Sequence, residues 1–165
     1  NNTWCQNNPL GWMHWQPDRG DLALRIFLQR LLRLRSHLTG LFNPELPLDD
    51  KPQRRSGDRG YLWRQWHGVE LDSPDWASWS HTLAWSLNDS HQGPLVWCGM
   101  NAYCKAMHFE LPSSSEGWLR VIDTALPPGD DLPSQPEPWL PAGAPLQSRS
   151  LMLLVAAPLL EGREL

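Results

Sequence analysis

The stretch Cys104-Lys105-Ala106-Met107-His108-Phe109-Glu110-Leu111 decides how this chain is read. Ala106, His108 and Glu110 fall on one side of it, and Met107, Phe109 and Leu111 on the other. A period of two with one apolar side is the pattern of a half-buried strand. Working outward, Pro94 to Met100 and Ser80 to Leu87 have the same texture on its N-terminal side, and Asn88-Asp89 ends the latter. Tyr61 to Val69 reads as extended, and Pro74-Asp75-Trp76 begins a turn. On the C-terminal side, Trp118 to Asp123 is a further strand and Ser150 to Ala157 a closing one, stopped by Pro158. Pro127 to Pro145 is proline-rich and is expected to be irregular. Short strands at near-regular spacing, with turn residues between them, predict an antiparallel β-sandwich over 61–165.

Before Gly60 the pattern changes. Leu24, Phe27, Leu28, Leu31, Leu34 and Leu38 recur at steps of three and four, which predicts one long amphipathic helix, Leu22–Leu38. Asp21 is its expected N-cap and Gly40 its stop. Its arginines, Arg25, Arg30, Arg33 and Arg35, read as a solvated face with ion pairs rather than a phosphate site. Residues 43–60 carry Pro44, Pro47 and Pro52, an acidic pair and a basic run, which makes them a linker. The fold class is therefore mainly β: an antiparallel sandwich preceded by a loop and one long amphipathic helix.

The first fifteen residues, Asn1-Asn2-Thr3-Trp4-Cys5-Gln6-Asn7-Asn8-Pro9-Leu10-Gly11-Trp12-Met13-His14-Trp15, place side-chain amides between indoles and have no regular period. Amides meet sugar hydroxyls and aromatic faces cover the apolar faces of a pyranose, so this loop is the candidate carbohydrate contact. Across the 165 residues there are 11 Trp and 16 Pro, which suits a loop- and strand-rich body. The net charge of −4 argues against a nucleic-acid partner. The longest apolar run, Leu151 to Leu160, is half of the roughly twenty residues a membrane-crossing helix needs. Cys5, Cys98 and Cys104 form no CxxC pair, and an odd count suits a reducing compartment, so a cytoplasmic location is expected. Nucleotide-binding glycine loops, HExxH and EF-hand patterns are absent and the six His are scattered; no cofactor and no metal is expected. His67 and His108 read as structural or exposed. Among the carboxylates, Asp49, Asp50, Asp75, Asp123, Asp130 and Asp131 are present by count, and none has a setting that marks it as a glycosidase acid or nucleophile.

The opening loop resembles the segment after the eighth barrel strand in bacterial glycogen debranching enzymes and isoamylases of the alpha-amylase superfamily. The family pattern is close to N-N-x-Y-C-Q-D-N-E-x-x-W-x-D-W. Trp66-His67-Gly68-Val69, Pro74-Asp75-Trp76, Leu83-Ala84-Trp85-Ser86-Leu87, Arg120-Val121-Ile122-Asp123-Thr124 and Ser148-Arg149-Ser150-Leu151 resemble successive landmarks of the same family's C-terminal domain. The resemblance implies that residues 1–42 are the end of a (β/α)8 catalytic barrel, its last loop and last helix, followed by the linker 43–60 and the sandwich 61–165. It implies a parent that hydrolyses α-1,6-glucosidic branches in glycogen or a similar α-glucan. The parent's catalytic carboxylates lie on earlier strands, so this chain looks cut from something longer. No catalytic residue is assigned, and the fragment is expected to be inactive. Asn1, Trp4, Gln6 and Asn7 are the expected substrate contacts in the complete enzyme. Three of the pattern's carboxylates are replaced, by Asn7, Pro9 and His14.

Two other readings stand beside this one: a non-catalytic α-glucan-binding module, and a purely structural sandwich. The exposure of Trp63, Trp66, Trp76, Trp79 and Trp139 separates them. The helix Leu22–Leu38, taken out of a barrel, is expected to bury its leucines on the sandwich or by self-association with a second copy.

Overall fold

The computed structural model describes residues 4–12, 15–16, 18–41 and 61–165. The predicted linker and Asn1 lie outside the described residues. Helix α1 spans Arg19–His37, and eight strands follow: β1 Leu62–His67, β2 Thr82–Asp89, β3 Gly93–Asn101, β4 Met107–Glu110, β5 Trp118–Asp123, β6 Glu137–Trp139, β7 Gly143–Leu146 and β8 Ser150–Ala156. One antiparallel sheet runs in the order β1-β2-β3-β8-β5-β6, and β4 pairs with β7 in a second, two-stranded sheet. This is the mainly β, antiparallel architecture that the alternating segments predict.

Alternation sorts the side chains of the large sheet onto two faces. Ala84, Trp97, Trp118, Met152 and Leu154 point to the side covered by the small sheet, where Phe109, Ala144 and Leu146 close a core. Trp97 is fully buried, edge-on to Phe109 at 6.1 Å between ring centres and 75° between planes. Its indole N–H has no hydrogen-bond partner. Gly99 is required beneath it, because a Cβ there would stand 2.3 Å from the Trp97 ring. On the opposite face Leu87, Val96, Val121, Ile122 and Val155 form a second core with Leu34 and Leu38 of the helical segment and with Leu160 and Leu165 of the tail.

Helix α1 starts earlier than its apolar stripe. Asp18, not Asp21, is the N-cap: its carboxylate accepts from the Asp21 N–H at 2.8 Å, while Asp21 reaches back to the Asp18 N–H. This reciprocal pair is a capping box, with an Asp where Glu or Gln is usual. At the other end Gly40 does not adopt a left-handed conformation. Instead the Thr39 hydroxyl donates towards the Arg35 and Ser36 carbonyls, at 3.1 and 2.9 Å.

The helix meets the sandwich with Leu34 and the adjoining Leu38 buried and with Phe27 and Leu31 half-buried. Leu24 and Leu28, predicted to be part of the same stripe, stay 60% and 48% exposed. Docking on the sandwich thus buries one edge of the apolar surface and leaves an outer ridge. Arg30 departs from the expected solvated role. It is half-buried and donates to the carbonyls of Gly129 (3.1 Å) and Leu132 (2.7 Å). The tail fastens the same helix: His37 Nε2 lies 3.2 Å from the Glu164 carbonyl, and Arg163 donates to the His37 carbonyl at 3.0 Å.

The expectation of an irregular 127–145 is corrected. Strands β6 and β7 lie within it or run on from it. Prolines usually exclude strands, but β6 is the outermost strand of its sheet, and Pro138 there spares a bond that no neighbour needs. Strand β2 also runs on through Asn88 and Asp89, with a register shift at Leu87/Asn88. The Asp89 carboxylate then holds the turn by accepting from the His91 and Gln92 N–H groups.

Candidate functional site

The predicted carbohydrate loop is held mostly by its own side chains. The Trp12 indole N–H donates to Asn7 Oδ1 at 2.6 Å, and Asn8 donates to Gln6 Oε1 at 3.2 Å. Asn8 also accepts from the Leu10 N–H through its side chain and from the Gly11 N–H through its carbonyl. Trp4 and Cys5 take left-handed backbone angles, φ 50° and 60°, strained for residues with side chains. Trp4, Trp12 and Trp15 are exposed, at 78%, 58% and 85%. Of the predicted contacts, Gln6 and Asn7 are therefore brought together on one short loop with Trp4 close in sequence. The amide oxygen of Asn7 is already used by Trp12.

A second constellation resembles nucleophilic chemistry and is not. His67 is 2% exposed and sits at the end of β1, with its Nε2 2.9 Å from Ser86 Oγ on β2. On its other side the Asp72 backbone N–H donates to Nδ1 at 3.0 Å, with the Asp72 carboxylate at 3.2 Å. Asn88 donates to the same hydroxyl at 3.0 Å. Ser86 is itself only 1% exposed, so its hydroxyl is closed to a substrate. Burial lowers the His67 pKa, and the nearby Asp72 carboxylate offsets this only in part. The group is a buried hydrogen-bond network, as the sequence suggested for His67, and it fixes the loop after β1.

Three of the candidate carboxylates hold turns. Asp75 accepts from the Ala77 N–H (3.0 Å) and Asp123 from the Ala125 N–H (3.1 Å). Asp131 accepts from the N–H groups of Gly129 and Leu132, both at 2.9 Å. Asp49 and Asp50 lie outside the described residues. Glu137 pairs with Arg120 and ties β6 to β5. Among the described residues no cluster of three or more His, Cys, Asp or Glu is placed to hold a metal. No helix among them is long and apolar enough to cross a membrane.

The remaining indoles divide. Trp63, Trp66 and Trp139 are half-buried. Trp76 and Trp79 are 65% and 76% exposed. Sequence reasoning named both but could not separate them from Trp63, Trp66 and Trp139.

Residues 65–139 match the family described as Isoamylase 1-3, C-terminal. The chain is 32% identical to the glycogen debranching enzyme of Dickeya chrysanthemi over 122 residues, 73% of this chain and 16% of the relative. It is 30% identical to that of Pectobacterium carotovorum over 129 residues, 78% of this chain and 17% of the relative. A third relative, the glycogen debranching enzyme of Pectobacterium atrosepticum, is 32% identical over 83 residues, 50% of this chain and 11% of the relative. The sandwich is thus of the isoamylase C-terminal class. The chain corresponds to the C-terminal portion of an isoamylase-type debranching enzyme, and its alignments span 11%, 16% and 17% of these relatives.

Proposed function

We propose that this chain is the non-catalytic C-terminal part of an enzyme that hydrolyses α-1,6-glucosidic branches in glycogen or a related α-glucan. The reading rests on the similarity to glycogen debranching enzymes over most of the chain. Hydrolysis of a glycosidic bond needs two carboxyl groups facing one another across the sugar, about 5–9.5 Å apart. Asp75, Asp123 and Asp131 are committed to turns and Glu137 to an ion pair, which supports assigning the chemistry to residues outside this chain. In this reading residues 1–42 finish a catalytic barrel. The outer ridge of α1, Leu24, Leu28 and Leu32, all largely exposed, is then the surface that the rest of the barrel covers. Asn1, Trp4, Gln6 and Asn7 would form one wall of the glucan cleft, at the barrel end where such loops build active sites. A cytoplasmic location accords with the exposed free thiols of Cys5 and Cys104.

The test is direct. The purified chain is expected to release no reducing ends from glycogen, and the same chain extended by the residues encoded before Asn1 is expected to release them. Dose-dependent release by the chain alone would overturn the assignment. So would an upstream sequence without a barrel and its paired carboxylates.

A further inference from the structure

We propose that the loop between β1 and β2, with Trp76 and Trp79 at its crest, is a second glucan-binding surface, separate from the opening loop. The proposal rests on the α-glucan reading above and names a site on the sandwich itself.

Both indoles stand in water on a segment that is otherwise firmly built. Gly68 lets the chain fold back on itself: a Cβ there would lie 2.2 Å from the Ser73 carbonyl oxygen. Asp72 holds a left-handed turn (φ 58°) and is pinned to buried His67. The Asp75 carboxylate caps the Ala77 N–H, and the Ser80 N–H closes the next turn on the Ala77 carbonyl at 2.9 Å. Trp76 meets Trp66 edge-on, at 5.6 Å between ring centres and 76° between planes. Trp66 in turn carries the Arg64 guanidinium over its ring at 5.2 Å. The contact fixes the orientation of the Trp76 indole and still leaves it 65% exposed.

Beside Trp76 lies a groove of about 380 Å³, in the size range of small-ligand clefts. It is lined by the apolar Leu83 and Met100 and by the polar Asp75, Ser80 and His81. His81 is braced edge-on by Tyr103 at 5.8 Å. An open indole beside a carboxylate, a hydroxyl and an imidazole matches a ligand with apolar C–H faces and hydroxyl edges, which describes a pyranose. The net charge of −4 favours a neutral ligand over a polyanion. A linear α-1,4-glucan meets both conditions. Holding such a chain away from the catalytic cleft would raise the local concentration of branches and make binding bivalent.

The experiment is affinity electrophoresis of the 165-residue chain in gels containing glycogen, with titration of maltoheptaose followed by tryptophan fluorescence. Wild type is expected to be retarded, and the affinity to fall at least tenfold in Trp76→Ala and in Trp79→Ala while both variants keep the wild-type melting temperature within a few degrees. Leu140→Ala, at an exposed position outside this loop, is expected to be retarded like wild type. Absence of retardation in wild type would overturn the proposal, and so would retardation that survives both Trp substitutions or is lost in Leu140→Ala. Reducing-end release by the extended protein is read separately, so failure of this surface leaves the debranching assignment standing.

Discussion

Leu34 is the residue through which the helix answers to the sandwich, and Leu34→Ala measures that connection. Leu34 is 2% exposed and packs in one cluster with Leu38, Leu95, Leu160 and Leu165. Fully enclosed leucines lose about 2–5 kcal/mol on truncation to alanine, from lost transfer energy and the cavity left behind. Alanine is itself a slightly better helix former, by a few tenths of a kcal/mol, so a helix standing free in water would be unharmed or improved. The expected outcome is a loss of about 3 kcal/mol. With a urea dependence of about 2 kcal/mol per molar, this lowers the unfolding midpoint by about 1.5 M. Leu32→Ala, at a site 62% exposed, serves as the control and is expected to change stability by less than about 0.5 kcal/mol. The sequence supplies two independent probes. None of the 11 Trp lies in α1 and eight lie in the sandwich, so indole fluorescence reports chiefly the sandwich while far-ultraviolet circular dichroism includes the helix. The two transitions are expected to coincide. Equal effects of the two substitutions, or a helical signal lost well before the fluorescence changes, would refute the docking.

Two further outcomes are expected. His67 is buried as the neutral ring, with a pKa lowered by desolvation. The unfolded chain therefore binds its proton first as pH falls through about 6.5, and stability declines from there down to the depressed folded pKa and is flat below it. Comparing urea midpoints at pH 8 and 5.5 between wild type and His67→Gln checks this; an imidazole midpoint at or above 6.5 in a nuclear magnetic resonance titration would refute it. Burial pushes the Cys98 thiol up to about 12, whereas Cys5 and Cys104 are exposed. A thiol reagent at neutral pH is expected to modify two cysteines rapidly and the third only after unfolding, and mass spectrometry of the labelled peptides identifies which.

Where the chain alternates freely, its strands were legible. Trp118–Asp123 was placed to the residue, because turn residues bracket it on both sides and its apolar side chains have no helical period. The helix was legible from its leucines, but its cap was not. Asp18 and Asp21 are both competent caps, and the choice depends on which backbone N–H groups lie free in three dimensions. Strands β6 and β7 were hidden because proline speaks against a strand locally, and only the sheet decides whether an edge position tolerates it. The opening loop was recognised by its residues, yet the Trp12–Asn7 bond that occupies one amide was not foreseeable from spacing alone. The crest at Trp76 and Trp79 was named in sequence among other tryptophans. Its exposure follows from how Gly68 and Asp72 turn the chain, and no property of an indole announces that.

The joining of α1 to the tail has a consequence for synthesis. Leu34 and Leu38 pack against Leu160 and Leu165, and His37 bonds to Glu164 and Arg163, about 126 positions later. Within this chain the helix is made before every residue that fastens it: its leucine edge closes first on the sheet and then on the tail. Contacts this distant in sequence form slowly, so an early element is secured by a late one. A stop codon that removes only the final residues is expected to strand the helix while sparing the paired strands between.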